Sequence, residues 1–382
     1  MIYFDNGATT FPKPPTVINA VNNTLRSFGA NPGRSGHKMS IKASEIMYEC
    51  RQNTARLFEL DKPENIIFTN NCTTALNFVI KGVLKKGDHC IISSLEHNAV
   101  FRPIEAMKKQ GVTYTVADVD VDNEDKTIDN FRNAIRDNTK LIVCIHASNV
   151  FGVKLPIKKI GALCKIYGIM LCVDAAQTAG VVPISLNNSY IDFLCTAGHK
   201  SLYGPMGTGI LAINTEKPIE CIIQGGTGTQ SSSSEQPDFL PDKFESGTPN
   251  LPGIAGLNEG VRFVLNKGVK NIEKKEMLLA QKLYDNLSQI KGVLLYTKRP
   301  TTENSVPVIS FNIDKVDCEQ TALMLDMRNI AVRAGLHCAP LAHRFFGTEE
   351  TGTVRAVVSY FTDLRQIDYF TKCILEIKKY KK

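Results

Sequence analysis

The sequence predicts an α/β protein with a large, mainly parallel-sheet domain and a smaller α+β domain. Three observations carry this. At 382 residues the chain is too long for one simple core, so two domains are expected. Short apolar runs alternate with helix-length amphipathic stretches through the first two thirds, the pattern of a parallel sheet covered on both faces. Towards the C-terminus the alternation gives way to strands in closer succession with two helices. The expected division is residues 15–255 for the large domain and 1–14 with 256–382 for the small one.

Each element has a local reason. The first dozen residues read as an extended arm, with Asn6-Gly7 as a turn and Pro12, Pro14 and Pro15 barring a helix. Val17, Val21, Leu25 and Phe28 share one face of a helix over Thr16–Phe28. Asn31–His37 is irregular, and Ile41–Phe58 returns to helix. Strands are expected at Ile66–Thr69, Cys90–Ser93, Tyr114–Ala117, Leu141–His146, Met170–Val173, Ile191–Cys195 and Ile210–Ile213. Helices are expected at Thr74–Val83, Ala99–Lys109, Ile128–Ile135 and Ile157–Tyr167. The stretch Gly225–Ser246 is rich in Gly, Ser and Pro: a linker, a loop over a site, or a subunit contact. A helix at Asn271–Ile290 leads into strands Val293–Tyr296, Val308–Asn312, Ala331–Arg333 and Val354–Tyr360. Asp317/Gln320 and Asp363/Gln366 have capping-box spacing at the starts of the last two helices.

Composition excludes several classes. No apolar run approaches the eighteen or so residues of a membrane span, and the N-terminus lacks a basic region followed by an apolar one, so the cytoplasm is the expected location. The net charge of +7 is dispersed apart from the tail Lys378-Lys379-Tyr380-Lys381-Lys382. No basic face interleaved with aromatics suggests nucleic acid. Eleven cysteines without a C-x-x-C pair read as reduced thiols. Most sit in strand-like runs; Cys338 does not. His337, Cys338 and His343 form too sparse a set for a metal site, and no metal is expected.

The chemistry centres on Gly198-His199-Lys200, after an apolar run and before Gly204, Gly207 and Gly209. A phosphate-binding P-loop is excluded, because a histidine stands between Gly and Lys. A strand-end lysine flanked by small residues can instead form a Schiff base with pyridoxal phosphate (PLP). That cofactor needs a helix N-terminus for its phosphate, which Thr73-Thr74 could supply, though an ordinary cap reads the same way. It needs a buried carboxylate at its ring nitrogen, for which Asp174 ends an apolar strand; a helix cap is the competing reading. His97 could stack on the ring, and Asn149 and Gln177 could donate to its phenolic oxygen.

Together these stretches resemble the fold-type I, class V aminotransferase-like PLP enzymes, and within them the cysteine desulfurase and selenocysteine lyase group. The matching segments, in the family's order, are Asp5–Thr10, Thr73–Asn77, Glu96–Ala99, Ser148–Gly152, Val173–Gln177, Gly198–Lys200, Phe244–Asn250, Arg333–Ala339 and Thr353–Arg355. The resemblance implies that Lys200 carries the cofactor, Asp174 pairs its ring nitrogen, and His97 stacks on it and assists proton transfer. Thr73, Thr74 and His199 are implied as phosphate ligands. Thr248 is implied to reach the neighbouring subunit's phosphate, which makes an obligate homodimer with shared active sites. Asn149 and Gln177 are implied near the phenolic oxygen or the substrate. Arg355 is implied as the clamp for the substrate carboxylate, with Ala8, Asn149 and Arg333 also on the substrate side. Cys338 is implied as the nucleophile that takes sulfur from L-cysteine as a persulfide, leaving L-alanine, with a separate acceptor protein as a possible partner.

Three departures stand out. Ala197 replaces a usual serine, and Thr196 is the neighbouring candidate to compensate. Gly33–His37 matches the family's substrate-side loop only loosely, and Ala339–His343 is not the usual continuation of the iron–sulfur cluster enzymes. The competing functions are a selenocysteine lyase or another class V β-elimination or transamination enzyme, and a catalytically silent PLP-binding scaffold or sulfur-carrier partner.

Overall fold

The computed structural model describes residues 1–33 and 36–379, so Arg34 and Ser35 of the loosely matching loop and the last three residues of the basic tail lie outside it. The arm begins with β1 (Ile2–Tyr3) and leads into α1 (Pro15–Asn23), which ends in a wider turn over Thr24–Phe28. Next come α2 (Lys38–Leu57), β2 (Ile66–Thr69), α3 (Cys72–Val83), β3 (His89–Ser93) and α4 (Asn98–Lys108). The alternation continues with β4 (Thr113–Ala117), α5 (Glu124–Asn133), β5 (Thr139–Ile145), α6 (Ile157–Tyr167) and β6 (Met170–Asp174). It closes with β7 (Phe193–Ala197) and β8 (Gly209–Ile213).

These strands form one seven-stranded sheet in the order β2-β8-β7-β6-β5-β3-β4. Strands β3 to β7 pair in parallel, and β8 runs against both β7 and β2. The sheet is therefore mainly parallel, as the sequence predicts, and α/β throughout. Apart from the edge strand β4, its strands are buried on both faces. Ile91, Ile142, Cys144, Val173 and Leu194 enter one core with α6 and α5, while Ile92, Val143, Cys172, Phe193 and Cys195 enter the other with α3 and α4. That two-sided burial is why the runs read as continuously apolar rather than alternating.

Two helices were not legible: a six-residue one at Pro340–Phe345, and α7 (Leu251–Lys267). Gly253, Gly256 and Gly260 break its apolar periodicity, but each serves a close approach. A Cβ on Gly260 would stand 2.1 Å from the carbonyl of Leu202, and one on Gly256 would stand 3.0 Å from Pro205. The helix thus lies directly against the segment that follows Lys200. Ile254, Leu257 and Val261 join the core of the large sheet, and the expected division at residue 255 falls inside α7. Gly225–Ser246, which precedes it, adopts turns and bends and does not connect the two units.

The second unit comprises α8 (Val269–Ser288), β9 (Val293–Leu295), β10 (Val308–Ile313), α9 (Cys318–Asp326), β11 (Ile330–Ala331) and β12 (Arg333–Gly335). It ends with α10 (Pro340–Phe345), β13 (Thr353–Val357) and α11 (Leu364–Lys379). A four-stranded antiparallel sheet runs β12-β13-β10-β9, and β11 pairs in parallel with β1. Phe4 packs in this second core with Phe311 and Phe370, so the N-terminal arm is stitched to the far end of the chain. Asp363 and Gln366 bond reciprocally, Gln366 N–H to Asp363 Oδ1 at 2.9 Å and Asp363 N–H to Gln366 Oε1 at 3.1 Å, completing the capping box. Among the described residues no helix is long and apolar enough to cross a membrane.

Candidate active site

The parallel strands place their C-terminal ends on one edge of the sheet, and the chemistry-bearing residues follow those ends. Asp174 is the last residue of β6; Lys200 comes three residues after β7, His97 four after β3, and Asn149 four after β5. At the turn after β7, Gly198 donates to the Thr208 carbonyl at 2.9 Å. A Cβ there would stand 2.3 Å from Thr208 Oγ1, so only glycine lets the chain pass before Lys200.

Burial holds the Lys200 amine below lysine's ordinary pKa, with Asp174 opposing and the Arg355 and Arg333 guanidiniums adding to the depression. The Asp174 carboxylate is itself buried, 3% exposed. Among the described residues its hydrogen bonds, from Ala176 N–H at 2.9 Å and the Cys72 thiol at 3.4 Å, both end on Oδ1. His97 caps α4: its Nδ1 accepts from Ala99 N–H at 3.0 Å, which leaves the ring proton on Nε2. Burial lowers its pKa to about 4, against the pull of Asp174, so the imidazole is neutral.

Arg355 comes from β13, its side chain only 3% exposed. Its Nη1 donates to the Asn149 carbonyl at 2.8 Å and its Nη2 to Asp5 Oδ1 at 3.1 Å. Its Nε–H is buried without a partner among the described residues. Asp5 also receives Arg333, at 2.9 Å, so one carboxylate from the N-terminal arm serves two guanidiniums. Gly7 lies against Arg355, where a Cβ would come within 3.1 Å of the guanidinium carbon, and its carbonyl accepts from Gln177 Nε2 at 2.9 Å. Ala8 follows in the same turn, its N–H on the Asp5 carbonyl at 3.0 Å.

Among the described residues Cys338 is the one exposed cysteine. Both His337 and Cys338 adopt left-handed backbone, with φ of 49° and 57°. Three bonds hold this turn: Asn149 Nδ2 to the His337 carbonyl and Asn98 N–H to the Cys338 carbonyl, each at 2.8 Å, and the His337 Nε2–Thr353 carbonyl pair at 3.0 Å. The pKa of the nearby Arg333 guanidinium is raised, first by its hydrogen bond to Asp5 and least by Cys338. His337 and His343 stack at 5.8 Å, but among the described residues no group of three His, Cys, Asp or Glu side chains could hold a metal.

The residues suited to a phosphate are more dispersed. Thr73 and Thr74 open α3, where Asn71 Oδ1 takes the Thr74 N–H at 2.9 Å. His199 has a buried Nδ1 with no partner among the described residues, and burial beside Lys200 and Lys13 lowers its pKa to about 4. Thr248 is exposed and lines a surface hollow with Thr74 and Thr208. Thr196 cannot stand in for a serine at 197. Its Oγ1 donates to the Ala175 carbonyl at 3.3 Å, and strand alternation puts it on the face opposite Ala197.

Four residues at this site were not singled out from sequence. Asp5 lay in a matching segment without a role. Glu96, fully buried with Oε1 accepting from Ile145 N–H at 2.8 Å, ties the His97 turn to β5, and burial raises its pKa to about 8. Lys13 donates to the His199 carbonyl at 2.6 Å and to Thr10 Oγ1 at 2.7 Å. Cys72 bonds Asp174. None carries a local signal, because each acts through a partner distant in sequence.

A buried carboxylate with one oxygen uncommitted, a buried lysine with a lowered pKa, a neutral histidine beside both and an unpaired imidazole nitrogen suit a planar cationic ring bearing a phosphate. The aminotransferase class-V family profile matches residues 2–370. A probable cysteine desulfurase of Methanothermobacter thermautotrophicus is 32% identical over 386 residues, covering 98% of this chain and 94% of the relative. One from Halalkalibacterium halodurans is also 32% identical, covering 100% and 94%. The structure of a cysteine desulfurase from Thermococcus onnurineus superposes with a TM-score of 0.92 at 30% identity, covering 99% of this chain and 95% of that one. On this whole-length match in sequence and in fold, the chain belongs to the aminotransferase class-V family.

Proposed function

We infer that this protein is a PLP-dependent cysteine desulfurase that converts L-cysteine to L-alanine and leaves the sulfur on Cys338 as a persulfide. The observation that carries this is an exposed thiol on a strained, triply anchored turn, fastened to the residue after His97 and close to Arg333. A thiol buried in a strand could not reach a substrate.

Lys200, Asp174, His97, Asn149, Gln177, Thr73, Thr74 and His199 would hold the cofactor. When bound, PLP supplies an electron sink for bonds broken at the substrate amino acid. The chain's own residues do the rest. Arg355 offers its unpaired Nε–H to the substrate carboxylate as a charge-assisted hydrogen bond. Lys200 Nζ, its pKa lowered by burial, is the group placed to move a proton at the substrate's α-carbon. His97 presents a neutral ring with its proton on Nε2, available to the departing or arriving groups. Cys338 Sγ, as thiolate, attacks the substrate sulfur. The new S–S bond oxidises Cys338 to a persulfide, while the electron pair of the broken C–S bond stays with carbon, which is protonated to alanine.

The exposed position of Thr248 and the exposed apolar side chains Ile18 on α1, Leu25 in the turn after it, and Ile41 and Tyr48 on α2 support a homodimer whose subunits share active sites. The exposure of Cys338 supports delivery of its sulfur to a separate thiol acceptor. Eleven unpaired cysteines, including the Cys172–Cys195 sulfurs only 3.9 Å apart, support a reducing compartment such as the cytoplasm. The test is stoichiometric: one alanine per sulfur removed from L-cysteine, with persulfide labelling mapped to Cys338. Alanine without Cys338 labelling, or far faster turnover of selenocysteine than of cysteine, would move the assignment to a lyase.

A further inference from the structure

We propose that Cys72 is a positioning residue that fixes the orientation of the Asp174 carboxylate by donating its thiol proton to Oδ1. The inference rests on the reading that a PLP ring nitrogen faces Asp174.

The geometry is specific. Cys72 is the first residue of α3, 7% exposed, and its sulfur lies 3.4 Å from Asp174 Oδ1 across 102 residues of sequence. The helix start cannot shift. A Cβ on Gly209 of β8 would come within 2.5 Å of Asn71 backbone, so the turn before Cys72 is jammed against the sheet, and Thr69 Oγ1 bonds the Asn71 carbonyl at 2.9 Å. The Ala176 N–H reaches the same oxygen at 2.9 Å. The thiol is the donor and the carboxylate oxygen the acceptor. Two donors converging on Oδ1 from different elements stop rotation of the carboxyl plane. The Oδ2 edge is then left for the one partner that must be held in line, a protonated ring nitrogen. With the thiol removed, a single donor remains and both oxygens can exchange places. Burial, and then the neighbouring Asp174 charge, push the Cys72 thiol well above its ordinary pKa, which favours the protonated donor.

The experiment compares holoenzymes of wild type, Cys72→Ala and Cys72→Ser. A typical hydrogen bond is worth a factor of roughly two to ten, and a thiol is a weak donor. Cys72→Ala should release PLP about twofold to tenfold faster and shift the midpoint of the bound cofactor's spectral pH titration. Cys72→Ser, which keeps a donor, should restore both, with the unfolding temperature unchanged. A release rate and titration in Cys72→Ala identical to wild type would overturn the proposal, as would equal defects in Ala and Ser. Infrared spectroscopy gives an independent reading without cofactor. The wild-type minus Cys72→Ser difference should contain an S–H stretch shifted to the hydrogen-bonded position, and one at the free-thiol position would overturn the proposal even if the Ala variant fails to fold. Wild type that takes up no PLP would refute the cofactor reading instead, and the infrared band would still decide whether Cys72 holds Asp174.

Discussion

The backbone N–H of Asn98 donates to the carbonyl of Cys338 at 2.8 Å, so the turn that presents the exposed thiol is fastened to the residue next to His97. The fastening continues inward: Asn149 Nδ2 holds the His337 carbonyl, Arg355 Nη1 holds the Asn149 carbonyl, and Arg355 Nη2 holds Asp5. Thiol, imidazole and guanidinium are thereby set relative to one another by backbone and buried groups. The thiol itself is not part of the scaffold.

Replacing Cys338 by Ser or Ala should therefore leave the fold and PLP binding intact while removing the chemistry. Sulfide release from L-cysteine should fall by several orders of magnitude and persulfide labelling should vanish. The check is a sulfide and alanine assay beside the cofactor spectrum. Undiminished desulfuration by the Ala variant would exclude a persulfide on this residue.

Asp5 and Arg333 should differ sharply although they pair with each other. Asp5→Asn strips the counter-charge from Arg355, whose side chain is 3% exposed, and a buried ion pair broken on one side costs about 3–5 kcal/mol. Arg333→Gln removes a guanidinium that is half exposed, where the loss is about 1 kcal/mol or less. Denaturant melts of the two variants decide this. Equal destabilisation would mean that Asp5 does not neutralise Arg355.

The active site should be completed across the dimer. Lys200→Ala and Thr248→Ala proteins, each impaired, should recover some activity when mixed, because one site of the heterodimer then has both residues. Proven subunit exchange without recovery would argue for a site built within one chain.

Stability should be greatest near pH 6.5. Burial lowers the pKa of His89, His97 and His199 to about 4 and of His146 and His337 to about 3, all from 6.5. Burial raises Glu96 and Glu276 from 4.5 to about 8. Between pH 8 and 6.5 the folded protein takes up protons on the two glutamates that the unfolded chain does not, so stability grows as pH falls. Between 6.5 and 4.5 the unfolded chain gains five histidine protons against those two, so stability falls as pH falls further. Unfolding temperatures of the cofactor-free protein from pH 8 to 5 should trace this maximum. A steady rise down to pH 5 would show that the histidines are not held neutral.

Much of the site was written locally. A strand buried on both faces must be continuously apolar, so its end is marked by the first polar or small residues, and in parallel strands all such ends meet on one edge. The strand-end positions of Asp174, Lys200, His97 and Asn149 were legible for that reason, and so was the α/β class. What tertiary structure alone decided are relationships between residues far apart in the chain. Asp5 neutralises Arg355 across 350 residues, Asn98 holds Cys338, and Cys72 bonds Asp174. Helix α7 belongs with these. Its glycines break the periodicity by which a helix is read, yet they are what lets it lie against the Leu202 carbonyl, a contact that exists only once the chain has folded back. Periodicity reports which face of an element is buried. It does not report against what, because that is set by the close packing of surfaces that sequence order does not place together.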